Sequence, residues 1–565
     1  MSLNRAQPLR IVRLKGSQQD MGYQHGRLVR EYGGLDDLMS FYRKLPENIL
    51  FGGDSLGMLT PVIRTLARPL LNAGLARLSS KRPTALGERS RAFMTGAGRS
   101  PSDDRFILVM DLMQNVVGTV ARMGVGPFAG QAVHRAVPAC TTAMVWGDST
   151  VDGEVRHARN FDLPGIGVWD TAPTVVFCTP DSGVRYGFVT TFGADAPGIS
   201  AFNEAGLTIT MHTRFHEQVS FDGIGVVDLG HEIARRAETL NDAVRIARER
   251  PAASSWGIAI SSVHDRRGIV LETNSAGVWS VEPQDGQHWL GCTNRYRHSA
   301  TMAGQVSSGP GWAEHSDGRE ARLAEVIEGS NGMSTADLEA LLGDHVDPTG
   351  GRCAGGSTIA QPISITSMVS EPEQRRLRLS VGSAPTGWGP YATIDWDWDG
   401  PELEICETEP DSVQDGHYLT GPGAAGYRRL IAAHQAEMAT HDDLAILAEL
   451  EAARVADPAE PTYAFLAGAY RLRTGDFETA LAHFQSGLET ERAPFRRANL
   501  LLWGSRTADA LGLSEEAERL RAAIYSLHHP HIGMHRNQAT AEASEPYPKR
   551  RLRAVSVNLV LVDII

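Results

Sequence analysis

Cysteine is scarce in this sequence and is not arranged as a framework. There are five cysteines, an odd number, and no two of them form a CxxC pair. They are Cys140, Cys178, Cys292, Cys353 and Cys406. A disulfide-stapled fold and a zinc cradle are both disfavoured, because each needs several cysteines at close spacing. Reduced thiols suit a reducing compartment, so we expect a cytoplasmic protein.

The sequence also lacks a surplus of basic residues and long apolar runs. Its formal net charge is −13 at pH 7, which argues against nucleic acid as the main partner, since phosphate binding needs clustered Lys and Arg. No stretch approaches the roughly 18 uninterrupted apolar residues of a membrane span. The first residues, MSLNRAQPLRIVRLKG, contain no apolar core of a secretion signal. We therefore expect no membrane span.

What remains is the composition of an ordinary globular protein. Of 565 residues, 42% are hydrophobic and 21% are charged, with 58 glycines and 29 prolines. These proportions exclude a mostly disordered or fibrous chain. The length is that of several domains, or of one large domain with appendages.

The hydrophobic pattern changes along the chain. Residues 1–139 show helix-like apolar spacing, so we predict a helical segment there. From 140 to 400, short runs rich in Val, Ile, Thr and aromatic residues alternate with turns, and helical spacing returns at 226–250 and 319–342. This order predicts an α+β domain in which helices cover packed antiparallel sheets. The acidic stretch 401–420 is predicted to be a linker.

After the linker the chain becomes rich in Ala and Leu, and we predict helices over 421–545. Residues around Gly468 and Phe484 resemble one tetratricopeptide repeat, with a weaker copy around Gly504. Two interpretations stay open: a helical appendage packed on the main domain, or a groove that binds a protein partner. The tail, 546–565, is basic and then apolar, and its end VSVNLVLVDII is expected to dock as a strand.

One cysteine lies where the helical pattern gives way to strands. Cys140 is followed by two threonines, a predicted hairpin, and the segment Arg159-Asn160-Phe161-Asp162. An antiparallel hairpin of that length returns its second strand beside the first, which would bring the guanidinium and the carboxylate next to the thiol. A nearby guanidinium favours the thiolate. On spacing alone, an inert buried thiol remains the alternative.

Several separated segments resemble, in order, the motifs of one enzyme family. They are Gly16–Gly26, Cys140-Thr141-Thr142, Arg159–Asp162, Phe202–Leu207, Cys292-Thr293-Asn294, Asp317–Leu323, and the stretch from Ser357-Thr358 to Gly382–Pro385. Together they resemble the cysteine N-terminal-nucleophile hydrolases. The branch is that of acyl-coenzyme A:6-aminopenicillanate acyltransferase, to which bile-salt hydrolase and penicillin V acylase are related. The resemblance covers most of residues 10–395.

The resemblance implies a four-layer αββα sandwich and an enzyme that activates itself. Cys140 would attack the carbonyl of Ala139, and hydrolysis of the resulting thioester would make Cys140 a new N-terminus. The freed α-amine, with a pKa of about 7.7–8.0, would serve as base for its own thiol. The mature enzyme would form an acyl-enzyme on Cys140 from a small acyl amide or thioester and pass the acyl group to water or an amine. No cofactor and no metal are implied.

Roles for other residues follow from the same resemblance. Asp162 would hold the α-ammonium, and Arg159 would favour the thiolate. Asn294 would donate to the oxyanion. Arg319 would brace the site and the network around Asp162.

One position departs from the family pattern. Where relatives often have a second oxyanion asparagine, this sequence has His212-Thr213. Either the backbone N–H there suffices, or His212 reshapes the acyl pocket. A second group of histidines, from His528 to His531 with His535, is expected to be a solvated loop rather than a metal site.

The predicted function is an autoproteolytic cysteine acyltransferase or amidohydrolase that retains residues 1–139 as a subunit. Two alternatives remain. One is an inactive scaffold of the same fold that binds partners through its C-terminal helical repeats, and the other is a lipid acyl hydrolase.

Overall fold

The N-terminal segment combines one strand with several helices in the part of the chain that is described. The computed structural model describes residues 6–51, 60–136, 139–407 and 418–565. The N-terminal elements are β1 Leu9–Gly16, α1 Gln18–Tyr32, α2 Leu35–Phe51, α3 Thr60–Ser79, α4 Thr84–Gly96, α5 Val109–Arg122 and α6 Gly126–Ala136. A 3₁₀ helix, Pro101–Leu108, precedes α5.

The central region alternates strands and helices. Its first half contains β2 Thr141–Gly147, β3 Gly153–Asp162, β4 Pro173–Pro180, β5 Tyr186–Thr191, β6 Ser200–Asn203, β7 Leu207–Thr213, α7 Val226–Arg236, α8 Leu240–Arg248, β8 Trp256–Ser262, β9 Arg267–Asn274 and β10 Gly277–Val281. Its second half contains β11 Trp289–Cys292, α9 Ser299–Met302, α10 Pro310–Glu328, α11 Thr335–Leu342, β12 Val346–Asp347, β13 Gly351–Arg352, β14 Ser364–Glu371, β15 Arg376–Ser380, β16 Tyr391–Asp395 and β17 Leu403–Cys406.

Two mostly antiparallel sheets lie face to face in the central region. Within the described residues, the larger sheet has nine strands in the order β10-β9-β8-β7-β6-β5-β4-β1-β17. The smaller sheet has six strands in the order β11-β2-β3-β14-β15-β16. Apolar side chains from both sheets fill the space between them, among them Met144 and Leu290 of the smaller sheet and Ala259 and Val270 of the larger one.

Helices cover the outer face of each sheet. α7 and α8 lie on the larger sheet, where Ile233 and Ile246 pack in one cluster with Ile209 of β7. α10 and α11 lie on the smaller sheet, where Leu323 and Leu341 pack against β2, β3 and β14. The arrangement is a four-layer αββα sandwich of the α+β class, which confirms the predicted fold class.

The prediction of helix throughout 1–139 is wrong at the start of the segment. β1 lies inside the larger sheet, where Val12 pairs with Val176 of β4 and with Leu403 of β17. Its sequence, LRIVRLKG, contains the adjacent β-branched residues Ile11 and Val12, which favour a strand. The partners that complete this strand are more than 150 residues away in the sequence, so the local helical pattern of the segment masked it.

The prediction of a linker over 401–420 is also wrong for its first residues. β17 occupies 403–406 and pairs with β1 at the edge of the larger sheet. Just before it, Trp396 and Trp398 are buried in the apolar cluster between the sheets. Large apolar side chains thus hold this acidic stretch against the core, despite its charge. Residues 408–417, which contain most of the remaining predicted linker, lie outside the described residues.

Helices α1 and α4 approach each other unusually closely through glycine. A Cβ atom on Gly22 would lie 2.2 Å from the carbonyl oxygen of Arg89, and one on Gly26 would lie 2.0 Å from that of Phe93. Both glycines belong to the Gly16–Gly26 motif. The motif therefore has a structural purpose here, which is to join the two helices backbone to backbone.

The C-terminal region is helical, as predicted, and the tail ends in a short hairpin. Its elements are α12 Gly421–Thr440, α13 Asp443–Ala456, α14 Pro461–Thr474, α15 Phe477–Thr490, α16 Pro494–Ala510, α17 Ser514–Ile524, α18 Gly533–Ser544, α19 Lys549–Leu552, β18 Val557–Asn558 and β19 Asp563–Ile564. β18 pairs with β19, so the tail docks as two very short strands rather than as one. None of the helices in the described ranges combines the length and the apolar character that crossing a bilayer requires.

The C-terminal helices pack directly on the central domain. Trp388 of the central domain shares an apolar cluster with Tyr427 and Tyr463. The tail of the same chain joins this cluster through Val557 and Leu559. The helices therefore form an appendage packed on the central domain. The C-terminal tail covers part of their apolar surface. Kinship with tetratricopeptide repeats and the binding of a protein partner stay predictions.

Gly26→Ala tests the close contact between α1 and α4. Alanine normally stabilises a helix by about 1 kcal/mol relative to glycine. Here the new methyl group collides with a backbone carbonyl, so we expect the free energy of unfolding to fall by about 1–3 kcal/mol. Urea unfolding followed by circular dichroism measures the change.

Gly130→Ala is the matched control for this variant. It also places a methyl group on a helix, α6, but the nearest atom to its Cβ is the Ser307 carbonyl oxygen at 3.5 Å. We expect no loss of stability there. Equal stabilities of the two variants would contradict the close packing of α1 on α4.

Candidate active site

Cys140 lies directly before β2, at the point where the β2–β3 hairpin brings distant charged residues together. In this hairpin Thr142 pairs with Arg159 and Thr141 pairs with Asn160. As a result, the Cys140 sulfur lies 3.8 Å from Arg159 Nη2 and 3.7 Å from the main-chain oxygen of Asp162. The structure thus brings the predicted thiol, guanidinium and carboxylate residue together.

The guanidinium of Arg159 is held firmly beside the sulfur. It donates to the Ser200 hydroxyl at 2.6 Å, to the Met211 carbonyl at 2.6 Å and to the Ile199 carbonyl. Burial raises the pKa of the Cys140 thiol, the neighbouring Arg159 lowers it, and the charge of Asp162 raises it again. Burial prevails, so in the continuous chain the thiol is protonated at neutral pH.

The carboxylate of Asp162 is buried and only half satisfied. Its Oδ1 accepts a hydrogen bond of 2.6 Å from the Ser364 hydroxyl. Its Oδ2 accepts none from any residue in the described ranges. Burial raises the pKa of Asp162 to about 7, although Ser364, Arg319 and Arg159 each act in the opposite direction. A buried carboxylate with a free oxygen is a place that favours a cation.

Arg319, on α10, contacts the peptide that joins Ala139 to Cys140. Its Nη1 donates to the carbonyl oxygen of Ala139, to that of Cys140 at 2.7 Å and to the Thr141 hydroxyl at 2.7 Å. Its Nη2 donates to Asn294 Oδ1 at 2.8 Å. Burial lowers the pKa of Arg319 to about 10, so the side chain remains a cation at neutral pH.

Asn294 and Thr213 lie in the same cluster and are joined by a hydrogen bond. The Asn294 amide donates to the main-chain carbonyl of Thr213 at 3.0 Å and accepts from Arg319. The main-chain carbonyl of Thr213 is the acceptor here, and the role of its N–H toward an oxyanion stays a prediction. One amide N–H of Asn294 is used by Thr213, and an amide carries two.

The structure does not place His212 as an acyl-pocket residue. Its Nε2 lies 2.9 Å from the Thr142 hydroxyl, which lies 3.1 Å from that of Thr210. The Thr210 hydroxyl also lies 2.9 Å from His157 Nε2. Because side chains alternate along β7, both Thr210 and His212 face the interior between the sheets. Burial holds the pKa of His212 well below its usual value, so the imidazole is neutral.

Two hydroxyl groups that hold the charged side chains are absent from the predicted site. Ser200 accepts from Arg159, and Ser364 donates to Asp162. Ser364 faces Asp162 because β14 pairs with β3. Ser357, at the start of the same motif stretch, has its hydroxyl on a main-chain carbonyl of α10 instead. The sequence indicates only that Ser364 begins a strand, and not that this strand pairs with the one carrying Asp162.

The prediction of a solvated loop holds for His528, which is exposed between α17 and α18, and is wrong for the other three histidines. His529 Nε2 lies 3.4 Å from Glu314 Oε2, and His531 Nε2 lies 3.0 Å from Asp317 Oδ2. Both carboxylates belong to α10. His535 is buried and contacts the helical region instead. The described part of the chain contains no group of three or more His, Cys, Asp or Glu side chains arranged to hold a metal ion.

A cleft of about 470 Å³ opens close to this site. Its walls come from α2, from the loop after β3 and from α12, and its apolar lining includes Phe41, Ile166, Ile363 and Met438. The same four side chains pack in or against the apolar cluster that contains Ala139. The cleft and the residue just before Cys140 are therefore linked by one continuous apolar cluster.

The sulfur itself is closed off from solvent while the chain is continuous. Cys140 is 2% exposed and Ala139 is 0% exposed. Ala139 is packed in the apolar cluster to which several of the cleft residues belong. A substrate does not reach a sulfur buried in this way unless the packing around it opens.

The central part of the chain is similar to a known family of acyltransferases. Residues 157–385 match the family described as acyl-coenzyme A:6-aminopenicillanic acid acyl-transferase. The match covers less than half of the chain and begins after Cys140. It contains the other predicted catalytic side chains, namely Arg159, Asp162, Asn294 and Arg319.

One protein and one solved structure that resemble this chain each share at most 24% identity with it. An uncharacterized protein of Archaeoglobus fulgidus is 24% identical over 285 residues, which are 49% of this chain and 45% of that protein. The chain thus matches less than half of the length of this relative. A solved structure, the Caenorhabditis elegans ortholog of N-acylethanolamine-hydrolyzing acid amidase, shares 13% identity at a TM-score of 0.30 and covers 41% of this chain and 93% of that chain. The family match, together with the motifs, supports an acyltransferase or hydrolase of the N-terminal-nucleophile kind.

Proposed function

We propose that the protein is a self-cleaving cysteine acyltransferase or amidohydrolase with Cys140 as its nucleophile. The observation that carries the proposal is the unsatisfied carboxylate oxygen of Asp162, buried beside Cys140. A buried carboxylate with an unsatisfied oxygen is costly, even with the guanidinium groups of Arg319 and Arg159 nearby. A cut between Ala139 and Cys140 creates an α-ammonium that can donate to this oxygen. The family match over 157–385 supports the same general class.

Self-cleavage begins when the Cys140 sulfur attacks the carbonyl carbon of Ala139. Negative charge develops on the carbonyl oxygen, to which the Arg319 guanidinium already donates. As the C–N bond breaks, the thiol proton passes to the Cys140 nitrogen, with the Asp162 carboxylate as carrier, since its pKa is about 7. Water then hydrolyses the thioester, which leaves a carboxylate on Ala139 and frees the thiol.

In the cleaved enzyme the Cys140 α-amine lies beside its own thiol. Its ordinary pKa of about 7.7–8.0 allows it to accept the thiol proton near neutral pH. Asp162 orients the resulting ammonium, and Arg159, 3.8 Å from the sulfur, favours the thiolate. The thiolate attacks the acyl carbonyl of a small amide or thioester, and the ammonium protonates the leaving group. The acyl group then passes from sulfur to water or to an amine.

Asn294 provides the oxyanion donor for acyl transfer. Thr213 accepts from its amide nitrogen, and Arg319 donates to its amide oxygen. These two contacts fix the plane of the amide. Its second N–H is left to face the oxyanion of the substrate, a contribution that is typically worth about 2.7–4 kcal/mol.

The N-terminal fragment remains bound as a subunit after the cut. It contributes β1, which lies between β4 and β17 of the larger sheet. Arg89 of α4 also forms a buried ion pair of 2.7 Å with Asp195 of the core, and His25 of α1 contacts the same carboxylate at 3.0 Å. Breaking one buried pair typically costs about 3–5 kcal/mol. Dissociation is therefore strongly opposed.

The acyl group reaches the sulfur through the cleft between α2, the loop after β3 and α12. Once the bond before Cys140 is broken, the end of the N-terminal fragment is free to leave the apolar cluster around Ala139. An acyl chain takes the vacated place beside Phe41, Ile166 and Met438. This apolar part of the lining suits an apolar acyl chain, and the same cleft also carries the charged side chains Asp37 and Lys44.

Cys140→Ala is expected to abolish fragmentation. Denaturing mass spectrometry of the purified wild-type protein should show residues 1–139 and 140–565 as separate masses, and the variant should show only the intact chain. Cys406→Ala, which removes a thiol from β17, is the matched control and should fragment normally. An intact wild-type chain, or fragmentation of C140A, would overturn the proposal. N-terminal sequencing of the larger fragment locates the cut.

Arg319→Lys is expected to slow self-cleavage by about 10- to 1000-fold. A lysine has one nitrogen and cannot donate to the Ala139 carbonyl and to Asn294 in the same geometry. The rate is measured as the appearance of fragments after cell-free synthesis. Arg322→Lys, on the same helix, is the control, because Arg322 pairs with Asp344 instead. Equal rates for both variants would exclude Arg319 from the cleavage step.

The uncleaved chain is expected to lose stability as pH rises, because Asp162 must ionise in the interior. Its pKa is raised from 3.8 to about 7. Between these values the folded chain binds a proton that the unfolded chain has released, so stability present below pH 4 is lost up to pH 7. From pH 5 to pH 8 we expect C140A to lose about 2–3 kcal/mol more than C140A/D162N. Urea unfolding measures both, and parallel pH profiles would contradict an unpaired Asp162.

A further inference from the structure

The last residues of the chain form a buried hairpin next to the scissile bond. We call residues 557–564 the C-terminal hairpin. Val557 pairs with Ile564 and Asn558 pairs with Asp563, and the residues between the two strands are buried. Two of them, Val560 and Leu561, belong to the same apolar cluster as Ala139. The end of the chain thus contributes to the packing around the bond that we propose is cut.

Asn558 ties this hairpin to the helix that precedes the scissile bond. Its side-chain amide donates to the main-chain carbonyl of His134, in the last turn of α6. Its Oδ1 accepts from the main-chain N–H groups of Val560 at 2.9 Å and Leu561 at 2.8 Å. Asn558 is 4% exposed, so these hydrogen bonds are shielded from water. His134 lies five residues before Ala139 in the sequence.

The other strand of the hairpin contacts the helix that carries Arg319. A Cβ atom on Gly311, in the first turn of α10, would lie 1.8 Å from Asp563 Oδ2, so the carboxylate lies directly against the helix backbone. Asp563 Oδ1 accepts from the Asn499 amide of α16 at 3.0 Å. One short hairpin therefore connects α6, α10 and the C-terminal helices.

We infer that the C-terminal hairpin positions the scissile bond for self-cleavage, with Asn558 as the positioning residue. The inference rests on the proposed function. Attack requires the sulfur, the Ala139 carbonyl and the Arg319 donor in a fixed geometry, and a misplacement of about 1 Å costs about 10²-fold in rate. α6 delivers the residues before the bond and α10 delivers Arg319. The hairpin is the element that touches both.

Asn558→Asp separates positioning from general stability. At neutral pH the new carboxylate keeps the acceptor for Val560 and Leu561 but cannot donate to the His134 carbonyl. We expect self-cleavage to be slower by about 10²-fold at pH 8. At low pH the carboxyl group of this variant is protonated and donates again. The ratio of its rate to the wild-type rate should therefore rise at least 10-fold between pH 8 and pH 5, which a loss of stability alone does not produce.

Asn203→Asp is the matched control. Asn203 is also buried, donates to two main-chain carbonyls, those of Ala234 and Ala237, and accepts from a main-chain N–H. Its partners lie in α7, just after α7 and at the start of β7, and neither Cys140 nor Arg319 is among them. We expect N203D to lose stability as N558D does, yet to cleave within about twofold of wild type once folded. Rates are taken per folded molecule after cell-free synthesis, with folding followed by circular dichroism in the C140A background.

The outcomes separate this inference from the proposed function. If the wild-type chain stays intact, or C140A fragments, the proposed function fails. If the wild type fragments and N558D cleaves at the wild-type rate, or N203D slows cleavage as much as N558D, the positioning role alone is overturned. Should N558D not fold, Asn558→Ser takes its place. Its shorter hydroxyl cannot span both partners, so cleavage at least 10-fold slower per folded molecule supports the role, and an unchanged rate refutes it.

Discussion

An oxygen of the Asp162 carboxylate lies in the protein interior beside Cys140 and accepts no hydrogen bond from any described residue. Holding a charge there is unfavourable, and protonating the group near neutral pH only moderates the cost. The site therefore favours any change that brings a cation next to it. A backbone cut at Cys140 makes such a cation on the same residue as the thiol. The β2–β3 hairpin thus places the thiol and the unsatisfied carboxylate, on which the proposed self-cleavage depends, within the same few residues.

Three parts of the chain that are far apart in sequence enclose this bond. α6 leads to it from the N-terminal side, α10 contributes the guanidinium of Arg319, and the C-terminal hairpin lies against both helices. The cleft reaches the same apolar cluster between α2 and α12. α12 and the hairpin lie outside the part of the chain that matches the acyltransferase family. The surroundings of the site are therefore built partly from elements outside the matched region.

Local patterns predicted the parts of the site that depend on neighbours in sequence. Arg159 and Asp162 meet Cys140 because a single hairpin joins them, and hairpins can be read from strand and turn residues. Asn294 and Arg319 were found by motif resemblance alone, since nothing local links them to Cys140. The orientation of His212 was missed because it depends on which face of β7 looks toward the second sheet.

The errors in the fold have the same origin. β1 was hidden because the strands that pair with it come from residues 174–180 and 403–406, and no window of the N-terminal segment contains them. Ser364 was missed because only the pairing of β14 with β3 sets it opposite Asp162. The helical C-terminal region was predicted well, since helices depend on nearby residues. The prediction failed where residues far apart in the sequence must pair. It succeeded where helix or strand depends on neighbouring residues.

The position of β1 has a consequence for how the mature molecule must be made. After a cut at Cys140, the larger sheet would be woven from two polypeptides, with the shorter one supplying an interior strand. Either piece produced alone would expose open strand edges, at β4 and β17 in the long piece and at β1 in the short one, and such edges promote aggregation. If the proposed cut occurs, the two pieces would acquire their joint fold reliably only as one precursor, and the leading segment would be a permanent partner rather than a disposable guide.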